Sequence, residues 1–317
     1  MVCLTVIPSR AYSGLGPVRL RRRISLSLPR FENRRCARSV DRLQSAVIDQ
    51  GHEVLHFIFP CNPLAPHEPE ELFSQQFHLL ANGGFTTSLL PDSDLVSPVR
   101  LKKVPPGTQV VYRGWMLTAT EYNNFASSVE TVHAEPFISP TEYLATHHLP
   151  IWYPLVRDFT PETKIYAADS DLVTELQKLN WQSFFIKDYV KSLKTSVGSL
   201  IHDANQISKV IAEMIHFRGE IEGGICVRRV EPFVTNSEVR YFVINGKAFS
   251  PELNTEIPKI VTDCAQRIPS KFFSIDIIKR KDGKLRVVEI GDGQVSDLVG
   301  WTPERFAEVW KITATTH

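Results

Sequence analysis

The apolar positions of this chain fall into short runs whose spacing switches between the two-residue period of a strand and the 3.6-residue period of a helix. SVDRLQSAVIDQGHEV, residues 39–54, reads as a short helix stopped by Gly51, and the apolar run VLHFIFP, 54–60, as a strand. Asn62-Pro63-Leu64-Ala65-Pro66 reads as a loop. EPEELFSQQFHLLANGG, 68–84, has the pattern of a capped amphipathic helix closed by Gly83-Gly84, and FTTSLL follows as a strand. This β–α–β succession predicts a small parallel-sheet domain. It has no GxGxxG, so it is not a dinucleotide fingerprint. Thr108–Tyr112 is a further strand, and residues 118–160 are helical with turns. Within them, TATEYNNFASSV is one helix and SPTEYLATHHL another, opened by Ser139-Pro140-Thr141-Glu142.

From about residue 164 strands with long connections take over. SFFIKDYVKSLKTSVGS, 183–199, starts as an apolar strand and becomes a loop of lysines and small residues. NQISKVIAEMIHF is a helix, ICVRRVEPFV a strand, and EVRYFVINGKAFS a hairpin turning at Asn245-Gly246. The last hairpin, FFSIDIIKRKDGKLRVVEIGD over 272–292, carries the most information. A two-residue type I′ turn at Asp282-Gly283 sets Lys281 opposite Lys284, and counting back sets Asp276 opposite Glu289. Directly opposed residues share a face with Cβ atoms about 4.5–5.5 Å apart, and two carboxylates there repel unless a cation or a proton lies between them. On this count Ile278, Val287 and Leu285 share the face, so it is not plainly solvated. A hard divalent ion, Mg²⁺ with nucleotide phosphate completing its shell, is the economical partner, and Asp276→Asn would then cost metal-dependent turnover more than stability. The alternative is an accidental pairing on a solvated face.

Other residues qualify for chemistry. Lys187 lies in a strand otherwise made of Phe184, Phe185 and Ile186, where a lysine needs an anionic partner. The loop after it, with Lys191, Lys194 and Gly198, suits a flexible phosphate cover, though GxxxxGK[ST] is absent. Arg240 points to the opposite face from Val239, Tyr241 and Val243. Arg113 and Trp115 stand at the carboxyl end of a strand, where open α/β sheets place ligands, so Arg113 is a candidate for gripping an anion beside a Trp115 wall. A surface arginine beside a core tryptophan fits the same sequence. His147-His148 point about 100° apart on a helix and form a helix end rather than a metal pair.

Composition narrows the class. At 317 residues, with 43% apolar and 22% charged residues, the chain is a globular protein with room for two domains. No apolar run approaches the ~20 residues of a membrane span. Five scattered cysteines (Cys3, Cys36, Cys61, Cys226, Cys264) without a CxxC pair argue for reduced thiols and a cytoplasmic compartment, against structural zinc or a disulfide framework. The net charge of +1 conceals an asymmetry: residues 1–40 hold nine arginines and a single acid, Glu32. The remainder has 27 of the 36 bases against 34 of the 35 acids, a net −7, which argues against general nucleic-acid binding. The leader reads as a disordered extension, with an organellar transit peptide or an RNA- or membrane-binding arm through Arg21-Arg22-Arg23 as alternatives.

The order of lysine strand, small-residue loop, helix, strand ending in glutamate, arginine-bearing hairpin and Asp/Glu hairpin resembles the ATP-grasp superfamily over roughly 55–309. Glu231 to Glu238 is a spacing of seven and Asp276 to Glu289 of thirteen, as in D-alanine–D-alanine ligase-type sequences. YRGWM, LPIWYP, RRVEPF, SEVRYFVINGK and VEIGDGQVSDL look most like the ATP-grasp clade defined by two arginines and a lysine. The resemblance implies an α/β (α+β) ATP-grasp fold with a small amino-terminal parallel α/β domain at 41–117. The ATP-grasp domain would span 118–317, with a lysine-strand part at about 139–230 and a metal-site part at about 231–317. It implies ATP and Mg²⁺, with Lys187, Lys194, Glu231, Phe233 and Glu238 binding ATP, Asp276, Glu289 and Asp292 holding metal, and Arg240 and Arg113 acting in catalysis. Gly291 stands where most members carry asparagine, and Asp292 or Gln294 would supply the missing oxygen. The implied reaction is ATP-dependent ligation: a carboxylate activated as an acyl phosphate and attacked by an amine or thiol, the substrates small molecules or peptides. A phosphotransferase or a non-catalytic ATP-binding module on the same fold stays open, as does a homodimer.

Overall fold

The computed structural model describes residues 54–90, 95–190 and 198–315. The arginine-rich leader, the helix expected over 39–54 and the loop lysines Lys191 and Lys194 lie outside the described residues.

The first sheet gathers β1 (Leu55–Asn62), β2 (Ala65–Pro69), β3 (Thr86–Leu90), β4 (Gln109–Tyr112) and β5 (Glu135–Pro136), with α1 (Glu71–Asn82) and α2 (Ala119–Glu130) between strands. β1 runs parallel to both β3 and β4, and β4 parallel to β5. The near-continuous burial of β1 is what a parallel strand covered on both faces requires. The stretch read as a loop at 62–66 instead turns tightly into β2, which pairs antiparallel with the end of β1. A domain boundary at 117 would cut this sheet, because α2 and β5 beyond it belong to the same layer. Thr118 and Glu121 form a capping box that starts α2, and Ser139 and Glu142 another that starts α3 (Pro140–His147).

α4 (Leu149–Val156) leads to a second, antiparallel sheet in the order β6–β9–β7–β8: β6 (Thr163–Ala167), β7 (Phe184–Asp188), β8 (Leu200–Ile201) and β9 (Gly224–Arg229). α5 (Leu172–Gln177) and α6 (Ile207–Arg218) join the core on one face of it. A third sheet, also antiparallel, has the order β11–β10–β12–β13: β10 (Val239–Ile244), β11 (Lys247–Phe249), β12 (Phe272–Lys279) and β13 (Leu285–Asp292). Asn245 and Gly246, with φ of 48° and 76°, make the expected tight turn between β10 and β11. α7 (Lys259–Arg267) packs with α4 against one face of the third sheet, around Tyr241, Val243, Phe273, Ile275 and Val287.

The last helix, α8 (Pro303–Ala314), returns to the first sheet. Its Trp310 meets Phe57 of β1, Phe137 after β5 and Phe272 of β12, with ring centroids 5.0, 5.6 and 4.9 Å away. One helix thereby joins the first and third sheets in a common core. Residues 53–317 accordingly form one compact unit.

Candidate functional site

Two strand faces of opposite charge meet between the second and third sheets. Strand alternation puts Lys187 of β7 on the same face as Cys226 and Arg228 of β9, since Lys187 pairs with Cys226 and Phe185 with Arg228. Across from it, β10, β12 and β13 present Arg240, Asp276 and Glu289, with Arg240 opposite Asp276 and Asp276 opposite Glu289. Arg240 donates to Asp276 as a fork, Nε to Oδ1 at 2.7 Å and Nη2 to Oδ2 at 2.6 Å. The Lys187 ammonium lies 3.2 Å from Glu289 Oε1. The anion that the lysine strand demanded is thus Glu289, and the cation that the paired carboxylates demanded is supplied by two basic side chains.

Asp276 does face Glu289, but by a different route from the two-residue turn. Arg280 N–H donates to Lys284 O and Gly283 N–H to Arg280 O, so the loop is three residues, 281–283, closed by Gly283 at φ 89°. That turn alone pairs Ile277 with Val287 and would place Val288 opposite Asp276. A bulge at Val288 restores the register, and Asp276 pairs with Glu289. Val287 consequently joins Ile277 in the apolar core on the reverse face, and Arg286, opposite Ile278, takes the place on the site face that the simple count assigned to Val287.

Burial pushes the Glu289 carboxyl up, but Lys187, Arg240 and Arg228 together outweigh it and hold it below the ordinary range. Burial likewise works against the Arg240 charge, and Asp276 reverses that effect and keeps the guanidinium firmly charged. Beside the quartet lies a cavity of about 50 Å³ lined by Glu289, Gly291, Asp292, Ser274, Arg240 and His147, among others. His147 is buried and stacks on Tyr143, and its neighbour His148 is turned to Glu222.

Among the described residues no three His, Cys, Asp or Glu side chains converge as a metal cage. Mg²⁺ needs none: it is commonly held by one or two carboxylates plus phosphates and water. Asp276 and Glu289 fit that requirement. At Gly291 an added Cβ would come within 3.1 Å of Ser296 Oγ and 3.2 Å of Ser274 Oγ, so two hydroxyls line a cradle beside Glu289. Neither serine was singled out from the sequence. Asp292 pairs with Phe273 and so belongs to the reverse face from Glu289. Its Oδ1 accepts from Gln294, Oδ2 is buried with no hydrogen-bond partner among the described residues, and burial raises the carboxyl to about 8. Gln294 is itself committed, accepting from Tyr112 N–H and donating to Tyr122 Oη and Asp292.

Arg113 is buried, with 1% of its surface exposed. Its Nε donates to Gln76 and its Nη1 to the carbonyls of Gly293, Gln294 and Ser296, and its guanidinium lies over the Phe306 ring. It therefore ties the loop after β13 to the first sheet, in place of the substrate grip expected from its position in the sequence. Trp115 bonds to Glu70 and packs edge-on to Phe73, and Met116 lines the cavity instead. At the other end of the site Glu231 accepts from Arg286 at 2.9 and 3.0 Å and from Arg280 at 3.4 Å. Phe233 bridges to Arg280, and Glu238 is half-buried just before β10. Arg228 was overlooked in the sequence because Arg228-Arg229 resembles an exposed strand edge, whereas Arg228 is 5% exposed and joins the two sheets. Alternation was the available signal, since it places Arg228 on the face of Lys187.

The fold and this arrangement define an ATP-grasp protein. Residues 152–309 match the model of the ATP-grasp domain of the clade named for two arginines and a lysine, family 3, and the chain belongs to the ATP-grasp superfamily of ATP-dependent ligases. Similar solved structures include the D-cycloserine synthetase DcsG, 11% identical, covering 82% of this chain and 99% of that one with a TM-score of 0.55. A RimK domain ATP-grasp protein from Sphaerobacter thermophilus is 12% identical, covers 82% and 98%, and has a TM-score of 0.55. The ATP-grasp ligase PsnB, in complex with its precursor peptide PsnA2 and AMPPNP, is 12% identical, covers 84% and 98%, and has a TM-score of 0.52. Among curated proteins the sequence has no match.

Proposed function

We propose that the protein is an ATP- and Mg²⁺-dependent ligase that converts a carboxylate into an acyl phosphate for attack by an amine or thiol. The observation that carries this reading is the buried quartet of Lys187, Glu289, Arg240 and Asp276 between the two antiparallel sheets. Two cations and two carboxylates at one point are what a nucleotide triphosphate and its metal require of a protein. Lys187 and Arg240 would hold phosphate oxygens, with Arg240 also meeting the charge of the transferring group. Glu231, Phe233 and Glu238, where the second sheet passes into the third, would receive the adenosine part. Asp276 and Glu289 would hold Mg²⁺, which supplies neutralisation of phosphate charge. Lys194 retains its expected place over the phosphates.

In the forward reaction a substrate carboxylate oxygen attacks the γ-phosphorus and ADP leaves; the amine or thiol then displaces phosphate from the acyl carbon. No side chain at the site pairs a nucleophile with an adjacent base, so the chain contributes position and charge. D-cycloserine synthetase and a ligase held with a precursor peptide share the fold, which supports an acceptor that is a small molecule or a peptide.

The test is release of ADP and phosphate across a matrix of carboxylates and amines or thiols, with Mg²⁺ present. Release requiring both partners is expected. Phosphate retained on a single acceptor would make the protein a phosphotransferase, and tight AMPPNP binding without turnover in any combination would make it a binding module.

A further inference from the structure

Arg228 presents an anomaly. It is 5% exposed, yet among the described residues it makes no ion pair. Burying an unpaired guanidinium costs several kcal/mol, so its hydrogen bonds have to answer for it. Nη1 donates to the carbonyl of Val288, and Nη2 to the hydroxyl of Thr160. The ring of Trp152 lies 6.0 Å from the guanidinium carbon.

Val288 is the bulged residue of β13, the one that has no partner on β12. Its position decides where Glu289 points. Below the bulge Ile277 faces Val287, and in that register Asp276 would face Val288 and Glu289 would face Ile275, on the reverse side of the sheet. A one-residue slip moves every side chain to the other face, and that face here is the apolar core of Ile275, Ile277 and Val287. The extra residue leaves a carbonyl outside the β12–β13 ladder, and Arg228 takes it up from the opposing sheet. Val287 N–H is similarly taken by Phe159 O, next to Thr160.

We propose that Arg228 is the positioning residue for Glu289: by holding the Val288 carbonyl it fixes the bulge that turns Glu289 toward Asp276 and Lys187. The ligand consequence, correct placement of the divalent ion and its nucleotide, rests on the ligase reading above; the positioning itself does not. Because Arg228 comes from the sheet that carries Lys187, the alignment of the carboxylate pair depends on the two sheets being together.

Deletion of Val288 supplies the test, because removing the bulged residue lets Val287 and Glu289 follow one another opposite Ile277 and Asp276 without a bulge. Mn²⁺ binding in the presence of ADP is measured by electron paramagnetic resonance in four full-length chains: wild type, Arg228→Met, the Val288 deletion and the two combined. Arg228→Met should weaken Mn²⁺ at least tenfold in the wild-type background and less than twofold in the Val288-deleted one. Equal losses in both backgrounds would mean that Arg228 acts on the ligand itself and would overturn the proposal, as would no loss in either. A crystal structure of Arg228→Met without ligand is the second measurement, and it stands even if the deletion fails to fold or the wild type binds no nucleotide. Glu289 displaced from Lys187 while the Arg240–Asp276 fork survives is the expected result. Glu289 in its original place would refute the positioning role.

Discussion

Ser274 Oγ and Ser296 Oγ lie 2.8 Å apart in the space that a side chain at position 291 would enter. Ser296 Oγ also donates to Asp292 O at 2.7 Å, so the pair is anchored and cannot easily give way. Gly291→Ala should therefore lower stability by about 1–3 kcal/mol through overpacking. Adding Ser296→Ala should recover much of that loss. Thermal melts of the single and double variants decide it, and a Gly291→Ala protein as stable as wild type would show that the hydroxyls move aside.

Asp276→Asn replaces an acceptor of two charged hydrogen bonds and strands a buried Arg240. Read from sequence alone, the same substitution relieves repulsion between carboxylates and leaves stability nearly intact. The fork reverses the expectation: breaking one half of a buried ion pair costs about 3–5 kcal/mol. Urea unfolding of Asp276→Asn measures it.

Lys187→Met removes the nearest cation from Glu289. In the wild type the Glu289 carboxyl is held below its ordinary value, so its contribution to stability is present above the ordinary carboxylate range and is lost as pH falls through the folded-state value. Without Lys187, burial pushes the group up and acid unfolding should begin at higher pH. Circular dichroism between pH 7 and pH 2 would show the shift, and an unmoved acid transition would contradict it.

Asp292 behaves in the opposite sense. Its carboxyl is raised to about 8 by burial, so the folded state holds a proton that the unfolded chain releases at about 4. Stability should fall as pH rises between those values, by up to about 1.4 kcal/mol per pH unit. Asp292→Asn should flatten that decline, gaining on the wild type from pH 5 to pH 9. Parallel pH profiles for the two proteins would exclude a raised carboxyl at this position.

Much of this was legible in the sequence because strand alternation and turn chemistry are local. Lys187, Arg240 and the capping boxes at Thr118 and Ser139 were all readable from spacing. The Asp276–Glu289 pairing was reached through two offsetting departures: the turn is one residue longer than Asp-Gly suggests, and the Val288 bulge restores the count. A bulge held by Arg228 from another sheet leaves no mark in the hairpin's own residues. Arg113 is a similar case, since three of its acceptors are carbonyls 180 or more positions away. Asp292 looked like a metal ligand from its nearness to Glu289, but it is an odd number of residues away, and alternation sends it to the other face.

The return of α8 to the first sheet has a bearing on how such a protein can be handled. The family match ends at residue 309, one position before Trp310, the side chain that joins β1 to β12. A border drawn by sequence kinship therefore passes through the middle of a helix that physically belongs to both halves. A fragment cut at that border would carry Phe272 and Phe306 without the rings that cover them, and the first sheet expressed alone would show Phe57 and Phe137 to water. The nucleotide-binding half is not a cassette that can be lifted out and spliced elsewhere.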